Sequence, residues 1–141
     1  MTIRQINVFV ENKPGVMVAI TKALGNAGVD VRALSLADTQ DFGILRMIVD
    51  DTDKAKKALT EIGCFTTVAD VLAAEIPDTP GAMTELIGKV SETGHNIEYM
   101  YAFISPVNKK AYIVLRINDV EAAAEALKLK GVVLAEEPGI V

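Results

Sequence analysis

The sequence predicts an α+β protein of two tandem βαββαβ units, each an antiparallel sheet with two helices on one face. Internal repetition predicts it first. Asn12-Lys13-Pro14-Gly15-Val16-Met17 returns as Asp78-Thr79-Pro80-Gly81-Ala82-Met83, an offset of 66 (12 to 78). Gly28-Val29-Asp30-Val31 returns at the same offset as Gly94-His95-Asn96-Ile97. Ile44 to Val49 returns as Tyr112 to Ile117 at an offset of 68 (44 to 112), so two residues have been added between Asp38 and Lys110. The hydrophobic periods are the remaining observation: they alternate between two and 3.6 in the same order in both halves. The expected domains are 1–69 and 70–141.

In the first half, Ile6, Val8 and Val10 alternate with Asn7, Phe9 and Glu11, as in a half-buried strand. Pro14-Gly15 breaks it, and Met17, Ile20, Leu24 and Ala27 follow at helical spacing, with Gly28 where a helix ends. Val29 to Ala37 reads as a second strand, Asp38 to Gly43 as a turn and Ile44 to Val49 as a third strand. Asp50-Asp51-Thr52-Asp53 supplies capping oxygens for a helix with Ala55, Ala58, Leu59 and Ile62 on one face. Gly63 ends it, and Phe65 to Ala69 makes a last strand. The second half repeats the order. Val71–Ile76 is followed by a helix carrying Met83, Leu86, Ile87 and Val90, then by Ile97–Ile104 and Ala111–Ile117. A helix with Val120, Ala123, Ala124 and Leu127 leads to a final strand, Val132–Glu136. Ala69-Asp70-Val71 carries no linker composition, so the halves are expected to pack together rather than swing freely.

Composition narrows the chemistry. Half of the 141 residues are apolar, enough for a real core, and the net charge of -5 argues against a phosphate-backbone binder. One Cys and one His exclude a four-ligand Cys/His zinc site within the chain and any intrachain disulfide. A Ser-His-Asp or Cys-His mechanism would rest wholly on His95, and no tight acidic pair offers another centre. The apolar runs are far short of the ~20 residues of a membrane span, and the N-terminus lacks the pattern of a signal peptide. A cytoplasmic protein without catalytic residues, metal or cofactor is expected.

The Pro-Gly turns carry the most suggestive chemistry. Proline suits the first helical position, and glycine lets a ligand approach the backbone. The first-turn amides and the helix dipole favour an anion. Asn12 and Asp78, two residues ahead of each proline, can cap the helix or accept from an ammonium group. An anion site beside an acceptor matches the two ends of an α-amino acid; the alternative is simply a well-capped helix start.

Both halves resemble ACT domains, the ferredoxin-like βαββαβ modules that bind amino acids and related metabolites. The resemblance rests on Asn12-Lys13-Pro14-Gly15 with Gly28-Val29-Asp30-Val31, and on Asp78-Thr79-Pro80-Gly81 with Gly94-His95-Asn96-Ile97. The second half keeps the family's Gly, Asn and Ile with His95 replacing one Ile, whereas the first has Asp30 in place of Asn. Asp41 to Arg46 and Ile97 to Phe103 further resemble tandem ACT proteins that carry no catalytic domain. The resemblance implies a regulatory protein whose ligand sits where two ACT domains meet. It points to Asn12, Gly15, Val16, Asp30 and Val31, and to Asp78, Gly81, Ala82, Asn96 and Ile97. A free amino acid, a second copy of the chain and a metabolic enzyme are the implied partners, without nucleic acid or membrane.

Other residues carry two readings each. Tyr99, Tyr101 and Phe103 alternate on one strand, and with Glu98 they can wall a ligand or cover the helix-free face as an interface. Arg46 and Arg116 can hold a ligand carboxylate or pair with a neighbouring one. His95 reads as an exposed turn residue and Cys64 as a small apolar one. Lys54, Lys56 and Lys57 form a solvated helix face. Asp41-Phe42-Gly43 lacks every other kinase element, and Gly25-Asn26-Ala27-Gly28 ends a helix rather than opening one. The competing function is a ligand-independent protein-protein module, a detached regulatory subunit of a metabolic enzyme.

Overall fold

The computed structural model describes residues 1–38, 41–137 and 140. In chain order the elements are β1 (Ile3–Glu11), α1 (Val16–Asn26), β2 (Val31–Asp38), β3 (Phe42–Val49), α2 (Thr52–Glu61) and β4 (Phe65–Ile76). Then come α3 (Ala82–Glu92), β5 (Ile97–Ile104), β6 (Ala111–Ile117) and α4 (Val120–Leu129). The βαββαβ order thus occurs twice, as the periodicity predicts. The chain divides into two compact units: Arg4–Ala69, here the first unit, and Asp70–Val141 with Met1–Ile3, the second.

In the first unit the strand order is β2-β3-β1-β4, with β3 antiparallel to both β1 and β2. The register pairs Ile6 with Met47 and Val8 with Leu45, which puts these side chains on one face. There they pack against Ile20 and Leu24 of α1 and Ala55 and Leu59 of α2, all at most 1% exposed. Each large aliphatic side chain so buried contributes about 1.5–3 kcal/mol. Asn7 and Phe9 point to the opposite face, where the Asn7 Nδ2 donates to Thr67 Oγ1 (3.1 Å) and the Phe9 ring lies 5.2 Å from Phe65.

The second unit is ordered β4-β6-β5, all antiparallel. Pairing of Leu72 with Leu115 and Ala74 with Ile113 turns them toward Leu86 and Val90 of α3 and Ala123 and Leu127 of α4. Tyr99, Tyr101 and Phe103 lie opposite Arg116, Val114 and Tyr112, on the face away from these helices. Phe103 stacks on Tyr112 with 5.6 Å between ring centroids.

All four helices are followed by a glycine at positive φ: Gly28, Gly63, Gly94 and Gly131. At α1, Gly28 N–H donates to Gly25 O (3.1 Å) and Val29 N–H to Leu24 O (3.0 Å), the paired bonds of a Schellman motif. At α2 the expected acidic cap is present: the Asp51 side chain accepts from the Lys54 amide at 3.0 Å. Asp51→Ala should therefore destabilise the protein by about 1 kcal/mol, read as a lower urea midpoint at unchanged slope.

Four details differ from the sequence reading. Phe65–Ala69 and Val71–Ile76 are one strand, β4, because nothing in Ala69-Asp70-Val71 interrupts the pleat. Val132–Glu136 narrows to a single bridge, Leu134 to Ala74, held by Glu75 N–H to Val133 O and Ala135 N–H to Ala73 O, both 2.9 Å. Phe42 and Gly43 open β3 instead of finishing a turn, while Thr39 and Gln40 of that turn lie outside the described residues. Ile62 is the residue that caps α2 and is exposed, not part of its buried face.

Two exposed ion pairs of the second unit make a small, acid-sensitive contribution to stability. Glu92 Oε2 meets Lys130 Nζ, and Glu136 Oε1 meets the Met1 ammonium, each at 2.8 Å. A hydrogen bond from each cation, reinforced by its charge, holds the carboxyl below its ordinary 4.5. A depressed folded-state pKa contributes stability that is present above the unfolded value and lost as pH falls through the folded one. Melting temperature should thus decline below about pH 4.5, and Glu92→Gln should make that decline shallower; an unchanged slope would remove the pair from the acid response.

Candidate functional site

The repeated strand-to-helix connection is a type II turn. In Lys13-Pro14-Gly15-Val16, Val16 N–H donates to Lys13 O at 3.5 Å and Gly15 has φ 89°, ψ -18°. In Thr79-Pro80-Gly81-Ala82 the corresponding bond is 3.2 Å and Gly81 has φ 88°, ψ -13°. Proline at the second and glycine at the third position are what this turn requires. Proline is therefore not the first helical residue: it precedes the N-cap, which the glycine occupies in a left-handed conformation. Neither helix start has a side-chain cap, so Asn12 and Asp78 do not act as N-caps.

A cavity adjoins each turn, and the two differ greatly in size. In the first unit, Val10, Asn12, Val16, Met17, Leu36 and Gly43 enclose about 80 Å³. In the second, the end of β4, the start of α3, the β5–β6 hairpin and the turn at Gly131–Val133 line an open cleft of about 940 Å³. The positions correspond through the repeat. Leu36 becomes Ala102, Val16 becomes Ala82, and Gly43 becomes Ala111. In the first unit the Leu36 side chain, 49% exposed, lies beside Gly43: a Cβ added at Gly43 would stand 3.1 Å from Ala37 O, 3.2 Å from Val10 Cγ2 and 3.4 Å from Leu36 Cδ1. At the equivalent place beside the larger cavity the second unit has the smaller Ala102.

The lining of the larger cavity is largely apolar, with Ile76, Met83, Leu86, Ile113 and Val132, and also carries both signs of charge. Lys110 Nζ sits 3.0 Å from Glu75 Oε1, whose hydrogen bond and charge raise the lysine above its ordinary range. Lys89 and Glu85 stand 3.6 Å apart one helical turn on. Asp78 and Lys109 also line it, and neither has an ion-pair partner among the described residues. No Ser, Thr, Cys or His is among the described residues that line it. Among the described residues no cluster of three or more His, Cys, Asp or Glu could hold a metal ion. Burial pushes the Cys64 thiol up, away from the reactive thiolate.

A family model described as an ACT domain pair matches residues 1–140. The chain belongs to the ACT domain pair family. Among solved structures, protein BT0572 from Bacteroides thetaiotaomicron is 38% identical, with a TM-score of 0.87 over 96% of this chain and 92% of that one. The ligand-free regulatory subunit of aspartate kinase from Thermus thermophilus is 18% identical (TM-score 0.62), over 89% of this chain and 90% of that one. That from Thermus flavus is 22% identical (TM-score 0.60) over the same shares. The two kinase subunits share the fold of this ACT pair. No curated protein matches it.

Within each ACT unit the expected site residues separate into two groups. Asp78 and Ala82 line the large cavity beside the Gly81 turn; Asn12 and Val16 line the small one beside Gly15. Asn96 and Ile97 lie elsewhere. Ile97 pairs with Ile117, at the other end of β6 from Ala111, which pairs with Ile76. That separation is roughly 20 Å at strand rise. Asn96 N–H donates to Asn118 Oδ1 (3.2 Å), and Asp30 N–H donates to Asp50 Oδ1 (2.9 Å) in the first unit. The Asp30 carboxylate pairs with Arg32 at 2.6 Å, and Val31 and Ile97 pack on the cores of their own units. Glu98 pairs with Arg116 (3.5 Å), whose Nη1 also donates to Asp70 O (2.8 Å). Of the two readings for Arg116, the geometry matches carboxylate pairing. His95 is half-buried just past the α3 cap.

Glu75, Lys109, Lys110, Ala102 and Ala111 line the cavity but carry no motif. The signal for them lies in the alignment of the two halves: small residues replace large ones at 82 and 102, and the two added residues fall in the hairpin that rims the cavity.

Proposed function

We propose that this ACT domain pair, with domains 1–69 and 70–141, is a non-catalytic regulatory protein that binds a free amino acid. The carrying observation is the cavity beside the Asp78–Gly81 turn, where Asp78 can receive an ammonium group and Lys109 a carboxylate. Membership of the ACT domain pair family and the shared fold with aspartate kinase regulatory subunits support a regulatory role. The protein works as a homodimer in the cytoplasm, and ligand binding biases its association with a metabolic enzyme. No helix among the described residues is long and apolar enough to cross a membrane. Calorimetric titration with each of the twenty amino acids tests the reading. Saturable heat with one of them is expected, together with about 2.7 kcal/mol of stabilisation at a hundredfold excess over Kd; silence with all twenty overturns it.

One observation favours the second reading, a ligand-independent docking module. Phe9, Phe42 and Phe65 are 44%, 61% and 67% exposed in the first unit, and Phe9 contacts Phe65. Replacing Phe9 and Phe65 by serine separates the two. A docking module loses its enzyme partner, whereas the sensor keeps its amino acid.

A further inference from the structure

We propose that only the second unit takes the ligand, one per chain, and that this ligand is an amino acid with a bulky apolar side chain. The proposal rests on the reading above that the protein binds an amino acid, and adds the site and the chemical class. The two cavities stand at equivalent places in the repeat, so their contents can be compared residue by residue. The first, at about 80 Å³, has room for a few waters and falls well below the few hundred Å³ of small-molecule sites. The second, at about 940 Å³, reaches the upper end of that range. Leu36 is one contributor to the difference: it lies beside Gly43 in the first unit, where the second has Ala102, and the hairpin rimming the second cavity is two residues longer.

The lining then selects the ligand class. Most of the lining is apolar, with Ile76, Met83, Leu86, Ile113, Val132 and Phe103. A polar side chain entering there would lose water without gaining a partner. An apolar one gains about fourfold in affinity per buried methylene, and the flexible thioether of Met83 accommodates both branched and flat shapes. Six charged residues share the lining: Glu75, Asp78, Glu85, Lys89, Lys109 and Lys110. Glu75 with Lys110 and Glu85 with Lys89 are already paired, which leaves Asp78 and Lys109 for the ends of a zwitterion.

The test is calorimetric titration of the full chain with leucine, methionine, phenylalanine, alanine, serine, aspartate and lysine, repeated on Ala102→Leu and Asp78→Asn. Position 102 is exposed, and the first unit already carries leucine at the equivalent place, so the substitution is compatible with the fold. A circular dichroism melt verifies it. The expected result is one site per chain, with leucine, methionine or phenylalanine at least tenfold tighter than alanine and serine. Ala102→Leu should weaken that binding more than tenfold, and Asp78→Asn by about tenfold. Should Ala102→Leu melt early, Ile104→Lys, at a position 67% exposed on the cavity wall, serves in its place with the same expected loss. Two sites per chain, or tightest binding of a polar amino acid unaffected by Ala102→Leu, overturns this proposal while the amino-acid reading stands. No binding by any amino acid overturns both.

Discussion

Leu115→Ala is expected to destabilise the protein by about 2–5 kcal/mol, the range for removing a fully enclosed leucine side chain. Leu115 lies at 0% exposure in the middle of β6, between Leu72 and Met100 in the ladder, and faces Leu86, Ala123 and Leu127. Its neighbours belong to four different elements, so no single one can shift to close the space it leaves. Urea denaturation should show the loss as a lower midpoint at unchanged slope. Leu129→Ala is the internal comparison: Leu129 is 89% exposed, and its removal should stay within about 0.5 kcal/mol. Equal effects at the two positions would contradict the assigned helix phase of α4 and the register of β6.

Gly81→Val should cost about 1–3 kcal/mol in stability and also weaken ligand binding. At φ 88° an L side chain pays for a backbone conformation it disfavours, and a β-branched one pays most. A Cβ at Gly81 meets nothing within 4 Å, so the cost comes from the backbone alone rather than from a clash. The chain can relieve that strain only by leaving the type II turn. Doing so re-aims the start of α3, and with it Ala82 and Met83 on the cavity wall. Gly15→Val should show the same loss of stability, since its φ is 89° and its Cβ also meets nothing. Ligand binding should survive there, because the first unit's cavity, about 80 Å³, is too small for an amino acid. Thermal melts and titrations of the two variants together separate the structural cost from the functional one.

The architecture was legible because it is written in side-chain periods. Ile6, Val8 and Val10 mark the inner face of β1 unaided, and Gly28 and Gly63 mark the ends of the first unit's helices. Expectations failed where the outcome depended on tertiary neighbours. Val132–Glu136 has strand composition, yet only Leu134 finds a partner in β4. Pro14 and Pro80 suit a first helical position in general, but a following glycine can take positive φ, and the type II turn wins. The site was legible only in part. The Pro-Gly turns announce themselves, whereas Ala82, Ala102 and Ala111, which line the second cavity, have no chemical character of their own. Asn96 resembles a ligand residue in sequence, but the β6 register places it a strand's length from Asp78. The exposed phenylalanines of the first unit sit at outward strand positions, where alternation alone does not say that they adjoin.

Amide spectra of the ¹⁵N-labelled chain with and without saturating leucine test the central claim most directly. The account predicts shifted resonances concentrated at residues 75–83, 102–111 and 131–133, around the second unit's cavity, with residues 10–17 and 36, 37 and 43 unmoved. Shifts confined to the first unit's turn, or a spectrum unchanged by leucine, would contradict it.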